Sequence, residues 1–164
     1  MVTLSAYGLS LDAPPGWDGS IYKRRDEGFS NQLSTREQVD LHAVEYQPIV
    51  HLSTLALPVV RGDMGGGVVN ELGPEDVFLV LFEYGAASPD QPLFNRLQGV
   101  PWPLTPADFS SSALRTQIPG QVGTQRFFAV NGRAFMLYVV LGSAASRWRL
   151  VPAVNAALAG VQIG

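Results

Sequence analysis

The chain has 164 residues, of which 46% are hydrophobic and 15% charged, with no cysteine and a formal net charge of −3. That length suits one domain, residues 1–164, able to bury its own core, and the lack of cysteine excludes a disulfide framework, a thiolate metal site and a cysteine nucleophile. The weak negative charge argues against a nucleic-acid partner, because phosphate recognition needs a concentrated basic face.

In chain order, Tyr7-Gly8-Leu9-Ser10-Leu11-Asp12 alternates with period two, which predicts a first strand burying Tyr7, Leu9 and Leu11. Pro14-Pro15-Gly16 turns it, and Trp17 to Lys23 reads as the second strand of that hairpin, with Trp17 closing one end of the core. Residues 24–47 are polar. Ser34 with Glu37 fits a capping box, while Val39, Leu41, Val44 and Tyr46 also fit strand alternation in part, so helix and strand both stay open. Ile49 to Leu57 reads as a strand stopped by Pro58. Gly62 to Gly67 is a loop, and Val77 to Tyr84 is apolar on both faces, the pattern of a central strand covered on both sides.

Six of the twelve prolines lie between Gly85 and Gly120; a connection that long is functional or contains short helical turns. Arg126 to Val130, Asn131-Gly132 and Arg133 to Leu141 then form a hairpin, since Asn-Gly reaches the positive φ that a tight turn between twisted strands requires. The last helix is expected to begin close to Pro152. Leu150, Val154, Leu158 and Val161 line one stripe of it, Gly160 stops it, and Val161-Gln162-Ile163 continues as an extended tail against a sheet edge.

Charge is uneven along the chain. Residues 1–90 carry five basic and 13 acidic side chains, whereas residues 91–164 carry six arginines against Asp108 alone. Halves on separate faces make a dipole that orients the molecule on a charged partner; halves interleaved in one sheet pair their charges across strands instead, as the adjacency of consecutive elements favours.

The opening, Tyr7-Gly8-Leu9-Ser10-Leu11-Asp12-Ala13-Pro14-Pro15-Gly16-Trp17, resembles the first strand of the PsbP/Mog1-like proteins. The ending, with its apolar strand Ala134 to Leu141, loop, helix and short apolar tail, is similar to theirs as well. The likeness covers about a third of the chain. It implies an α+β fold, an antiparallel β-sheet sandwiched between helices, and a non-catalytic accessory or binding module on a larger assembly. No binding residue is carried over, since no position matches a family motif.

The chemical inventory agrees with a binding role. His42, Glu45 and His51 are too few and scattered to make a metal site the expectation, and no cofactor is expected. The Gly62 to Gly67 loop lacks the Lys-Ser/Thr of a phosphate-binding loop and carries Asp63. Ser110-Ser111-Ser112 and Ser143 lack a nucleophile elbow, and the acid pairs Asp26-Glu27 and Glu75-Asp76 fit solvated turns.

Two words stand out as partner-binding candidates. Pro101-Trp102-Pro103 holds an indole in a stiff backbone, unless Trp102 folds back onto the core. Arg147-Trp148-Arg149 offers a cationic aromatic surface suited to carboxylates, and its arginines oppose the helix dipole there.

The sequence therefore predicts an interaction module whose arginine-rich C-terminal half docks on an acidic protein or on another copy of itself. The competing class is a small-molecule binder or enzyme with a pocket under the 62–67 and 85–120 loops. The longest apolar runs fall far short of the roughly 20 residues of a membrane span, and Met1 to Ser5 has neither part of a secretion signal. A cytoplasmic protein without membrane insertion is expected, although a secreted form trimmed of its leader reads the same way.

Overall fold

The computed structural model describes residues 2–23, 47–86 and 88–164. The described chain is α+β, with two antiparallel sheets. Strands β1 (Val2–Ala6), β2 (Leu9–Ala13) and β8 (Gln162–Ile163) form a small sheet in the order β1-β2-β8. Strands β3 (Asp18–Lys23), β4 (Pro48–Ser53), β5 (Val77–Glu83), β6 (Val122–Val130) and β7 (Arg133–Leu141) form a larger one in the order β3-β4-β5-β7-β6. A four-residue turn of helix, α1 (Pro92–Asn95), lies in the long connection, and α2 (Arg147–Ala159) precedes the C-terminal strand.

Alternation sorts the large sheet's residues into two cores. Val50 and Leu52, Val77, Leu79 and Leu81, and Phe135 through Leu141 at every second position face α2 and the small sheet. Ile49, Phe78, Val80, Met136, Tyr138 and Val140 face the other way. β5 lies in the middle of the sheet and is buried on both faces, as its continuous apolar run predicts. The Asn131-Gly132 hairpin is also present, with φ of 50° and 74° at its two turn residues, and β6 extends four residues further back than the expected start at Arg126.

Three expectations need correction. The strand expected from Tyr7 starts only at Leu9, and β1, which was not expected, precedes it: Tyr7 and Gly8 adopt φ of 54° and 75° and make a tight turn between β1 and β2. Leu9, Leu11 and Ala13 are buried, but Tyr7, at the hairpin tip, is 52% exposed. Next, β3 does not pair with β2, because β1 and β8 occupy both edges of β2; after the Pro14 to Trp17 turn the chain crosses to the large sheet and pairs with β4. Helix α2 begins at Arg147, five residues before Pro152. The proline removes one ladder bond, to the carbonyl of Trp148, and the buried stripe of Leu150, Val154 and Leu158 holds the helix down regardless.

The α+β class and the antiparallel sheet are present as expected, and the layering is seen in part. One face of the large sheet is covered by α2 and the small sheet, but on the other the described cover is loop and short turn, with Leu57, Val68 and Leu114 seated on it, and not a helix. The 85–120 connection holds short helical turns, and Phe94 of α1 plugs a third small core with Ala129 and Ala134. The candidate helix at Ser34 to Tyr46, its capping box, His42, Glu45 and Asp26-Glu27 lie outside the described residues. No described helix is long and apolar enough to cross a membrane.

The elements are joined by Arg133 at the start of β7. Its guanidinium donates two bonds of 2.7 Å to the carboxylate of Glu83, and others to the carbonyls of Gly164 (3.0 Å), Tyr7 (3.1 Å) and Gly8 (3.3 Å). The Glu83 side chain is only 5% exposed. Removing the carboxylate leaves the half-buried Arg133 cation without its counter-charge, so Glu83→Gln is expected to lower unfolding stability by about 2–3 kcal/mol. Arg149→Gln, which breaks a pair open to solvent, is expected to cost under about 1 kcal/mol. Urea denaturation of the two variants checks the contrast.

Candidate functional site

The two sequence candidates sit on α2 and on the segment strapped along it. Asn155 accepts from the Leu104 amide at 2.7 Å and donates to the Leu104 carbonyl at 2.9 Å. Eight residues earlier, at the helix start, Arg147 donates to the carbonyl of Phe109 at 3.2 Å. Residues 104–109 thus run antiparallel to α2, and Leu104 and Phe109 insert into the core beneath.

This places Trp148 in the first turn of the helix, 69% exposed, and Trp102, 51% exposed, just before the Leu104 clamp near the other end. Seven residues of helix separate Trp148 from Asn155, about 10 Å of rise. The structure therefore puts the two indoles on one rigid unit without bringing them into a single cluster. Trp102 does not fold back to cap the core.

The arginines differ in their freedom. Arg149 pairs with Glu75 from the loop before β5, and both side chains are more than half exposed. Arg147 is half-buried against Phe109. Neither stacks on Trp148: among the described residues, cation–π contacts join Arg115 to Tyr138, Arg133 to Phe135 and Lys23 to Tyr7. The charge asymmetry along the sequence is partly cancelled in space, since Arg133 and Arg149 from the basic half meet Glu83 and Glu75 from the acidic half, while Arg126 pairs with Asp108.

A cavity of 190 Å³ does lie where the competing class needs one. Met64 and Gly67 line it on one side and Leu114, Arg115 and Thr116 on the other, over Tyr138. It is smaller than the roughly 300–1,000 Å³ of ordinary ligand pockets. At its edge Gln121 donates to the Val69 carbonyl at 2.8 Å. Among the described residues no group of three or more His, Cys, Asp or Glu side chains could hold a metal ion, and Ser110 and Ser112 bond each other at 2.8 Å within a turn.

His51 lies under the same glycine loop, fully buried between the rings of Tyr22 and Phe78. Its Nε2 sits 2.8 Å from the Asp63 carbonyl, which can only accept, so Nε2 carries the proton and Nδ1 has no partner. Burial pushes its pKa from 6.5 down to about 4, with the Arg61 cation adding to the fall and the bond to Asp63 opposing it.

Of Glu75 and Asn155, which fix the geometry of the candidate surface, sequence reasoning noted Glu75 only as half of an acid pair in a turn and did not single out Asn155. Each lies 51 or more residues from its partner, so no local spacing signals it. Searches against protein-family models, curated proteins and solved structures find no match for the chain.

The depressed His51 pKa makes the folded state sensitive to acid. Above pH 6.5 the imidazole is neutral in both states; between 6.5 and 4 the unfolded chain takes the proton first, so stability falls with pH, by about 3 kcal/mol once both states are protonated. Urea midpoints measured from pH 7 to pH 4 are expected to drop less steeply for His51→Gln than for the unaltered chain.

Proposed function

We propose that this protein is a non-catalytic interaction module that docks on an acidic protein surface through the first turn of α2, with Trp148 as its anchor. The observation that carries this reading is the exposure of Trp148 between two arginines on a helix whose opposite face is locked into the core. A tryptophan held out in water on a rigid element loses little conformational freedom on binding, and indoles flanked by arginine are the usual energetic centres of protein interfaces.

Arg149 suits the role because its pair with Glu75 is solvated and weak, so a carboxylate of the partner can displace Glu75 at small cost. Arg147 is committed to the Phe109 carbonyl and serves as positioning for the turn. Trp102 offers a second apolar contact further along the same unit. The resemblance to the PsbP/Mog1-like proteins, with their helix-sandwiched sheet and accessory roles, points the same way. The small cavity gives the enzyme or small-molecule reading less support than these exposed side chains give docking.

Light scattering of native extract fractionated by size tests the proposal. The unaltered protein is expected to elute in a larger assembly at low salt and to leave it as salt rises. Trp148→Ala is expected to lose at least tenfold in apparent affinity, and Arg149→Gln to blunt the salt dependence. Elution at the mass of a free subunit at low salt, or co-elution of Trp148→Ala unchanged, would overturn the reading.

A further inference from the structure

Strand β1 ends the small sheet; its inner face packs on β3, where Leu4 lies over Gly19, and no described strand is hydrogen-bonded to its outer edge. The hydrogen-bonding direction of each residue follows from its neighbours. Gly8 accepts from Gly164, so Gly8 and Ser10 face β8, and Leu9 and Leu11 face β1. In the register Leu4 to Leu11 and Ala6 to Leu9, Leu4 and Ala6 point inward, and the amides and carbonyls of Thr3 and Ser5 point outward. Thr3 and Ser5 are exposed, and among the described residues their outward backbone groups have no hydrogen-bond partner.

Natural edge strands are usually protected by a charge, a proline or a bulge. Val2-Thr3-Leu4-Ser5-Ala6 has none of these. The large sheet's edge at β6 is by contrast strapped, by Gln98 at Ala129 and by Ser110 at Gly123. The β1 edge also carries apolar surface: Val2, on the same side of the sheet as Leu4, is 63% exposed.

We infer that β1 is a self-pairing edge, on which β1 of a second copy of this chain adds antiparallel about a twofold axis through Leu4. This goes beyond the docking surface on α2 and uses different residues. The second copy is the occupant the edge itself specifies. With the axis at Leu4, Thr3 of each copy stands opposite Ser5 of the other, so the four outward amides and carbonyls on each side meet their complements in one register. Val2 then faces Ala6 of the partner. No charged side chain lies on either strand to repel its copy. The result is one continuous six-stranded sheet, β8-β2-β1 joined to its image. Five residues of seam bury well under the roughly 1,200 Å² of a standard stable interface, so association is concentration-dependent.

Sedimentation across a concentration series of the purified chain is expected to show reversible monomer and dimer. Ser5→Pro removes an outward amide from each copy while leaving the β1 to β2 ladder intact, and is expected to weaken dimerisation at least about tenfold. The chain has no cysteine, so Leu4→Cys places one thiol on the proposed axis, where facing Cα atoms lie within disulfide range. Mild oxidation is expected to cross-link Leu4→Cys much faster than Val59→Cys, whose site is an exposed loop. A monomer at every concentration, a dimer that Ser5→Pro leaves unchanged, or equal cross-linking of the two cysteine variants would overturn the inference. Trp148→Ala leaves this dimer intact, which separates its failure from that of the docking reading.

Discussion

One half-buried cation, Arg133, ties the two sheets to each other. Arg133 begins β7 in the large sheet, yet its donors reach the hairpin tip of the small sheet at Tyr7 and Gly8, the end of β8 at Gly164, and Glu83 at the end of β5. A guanidinium is suited to this because its donors form a planar fork, two of them matching one carboxylate while the others remain for carbonyls. The contact also dictates local sequence. A side chain at position 8 would bring its Cβ to 2.8 Å from the guanidinium, and the backbone there has φ of 75°, so glycine meets both demands. Asn131 supports the same junction by donating to the Ile163 carbonyl at 2.7 Å.

Those parts of the fold governed by local rules could be read in the sequence. Val77 to Phe82 announces a strand buried on both faces because no polar side chain interrupts it, and Asn131-Gly132 announces a turn because few other pairs reach its dihedrals. The stripe of Leu150, Val154 and Leu158 likewise gives the buried side of α2. Where two local rules competed, reading failed. Tyr7 fits an alternating strand by its neighbours, but Gly8 next to it allows a tight turn, and a turn at 7–8 gives β1 a partner that a single long strand would lack. Pro152 reads as a helix start, but tertiary burial of the residues on either side outweighs the loss of one ladder bond.

Partnership across the chain was not legible. Arg149 with Glu75 and Leu104 with Asn155 are separated by 74 and 51 residues, and their pairing depends on how sheet and helix stack, which periodicity does not encode. The residue types at the candidate site were visible as Trp102 and Arg147-Trp148-Arg149. Their inequality was not: one arginine is spent on a carbonyl, the other on an exchangeable acid, and the two indoles stand apart.

The strap of residues 104–109 has a mechanical consequence. It is fastened to α2 at both ends, by Asn155 and Arg147, and anchored between them by Leu104 and Phe109. A pull on the first turn of the helix is therefore shared with the strap and with the sheet beneath, instead of being absorbed by bending of one element. Helix and strap are thus joined to each other and to the core beneath as one layer.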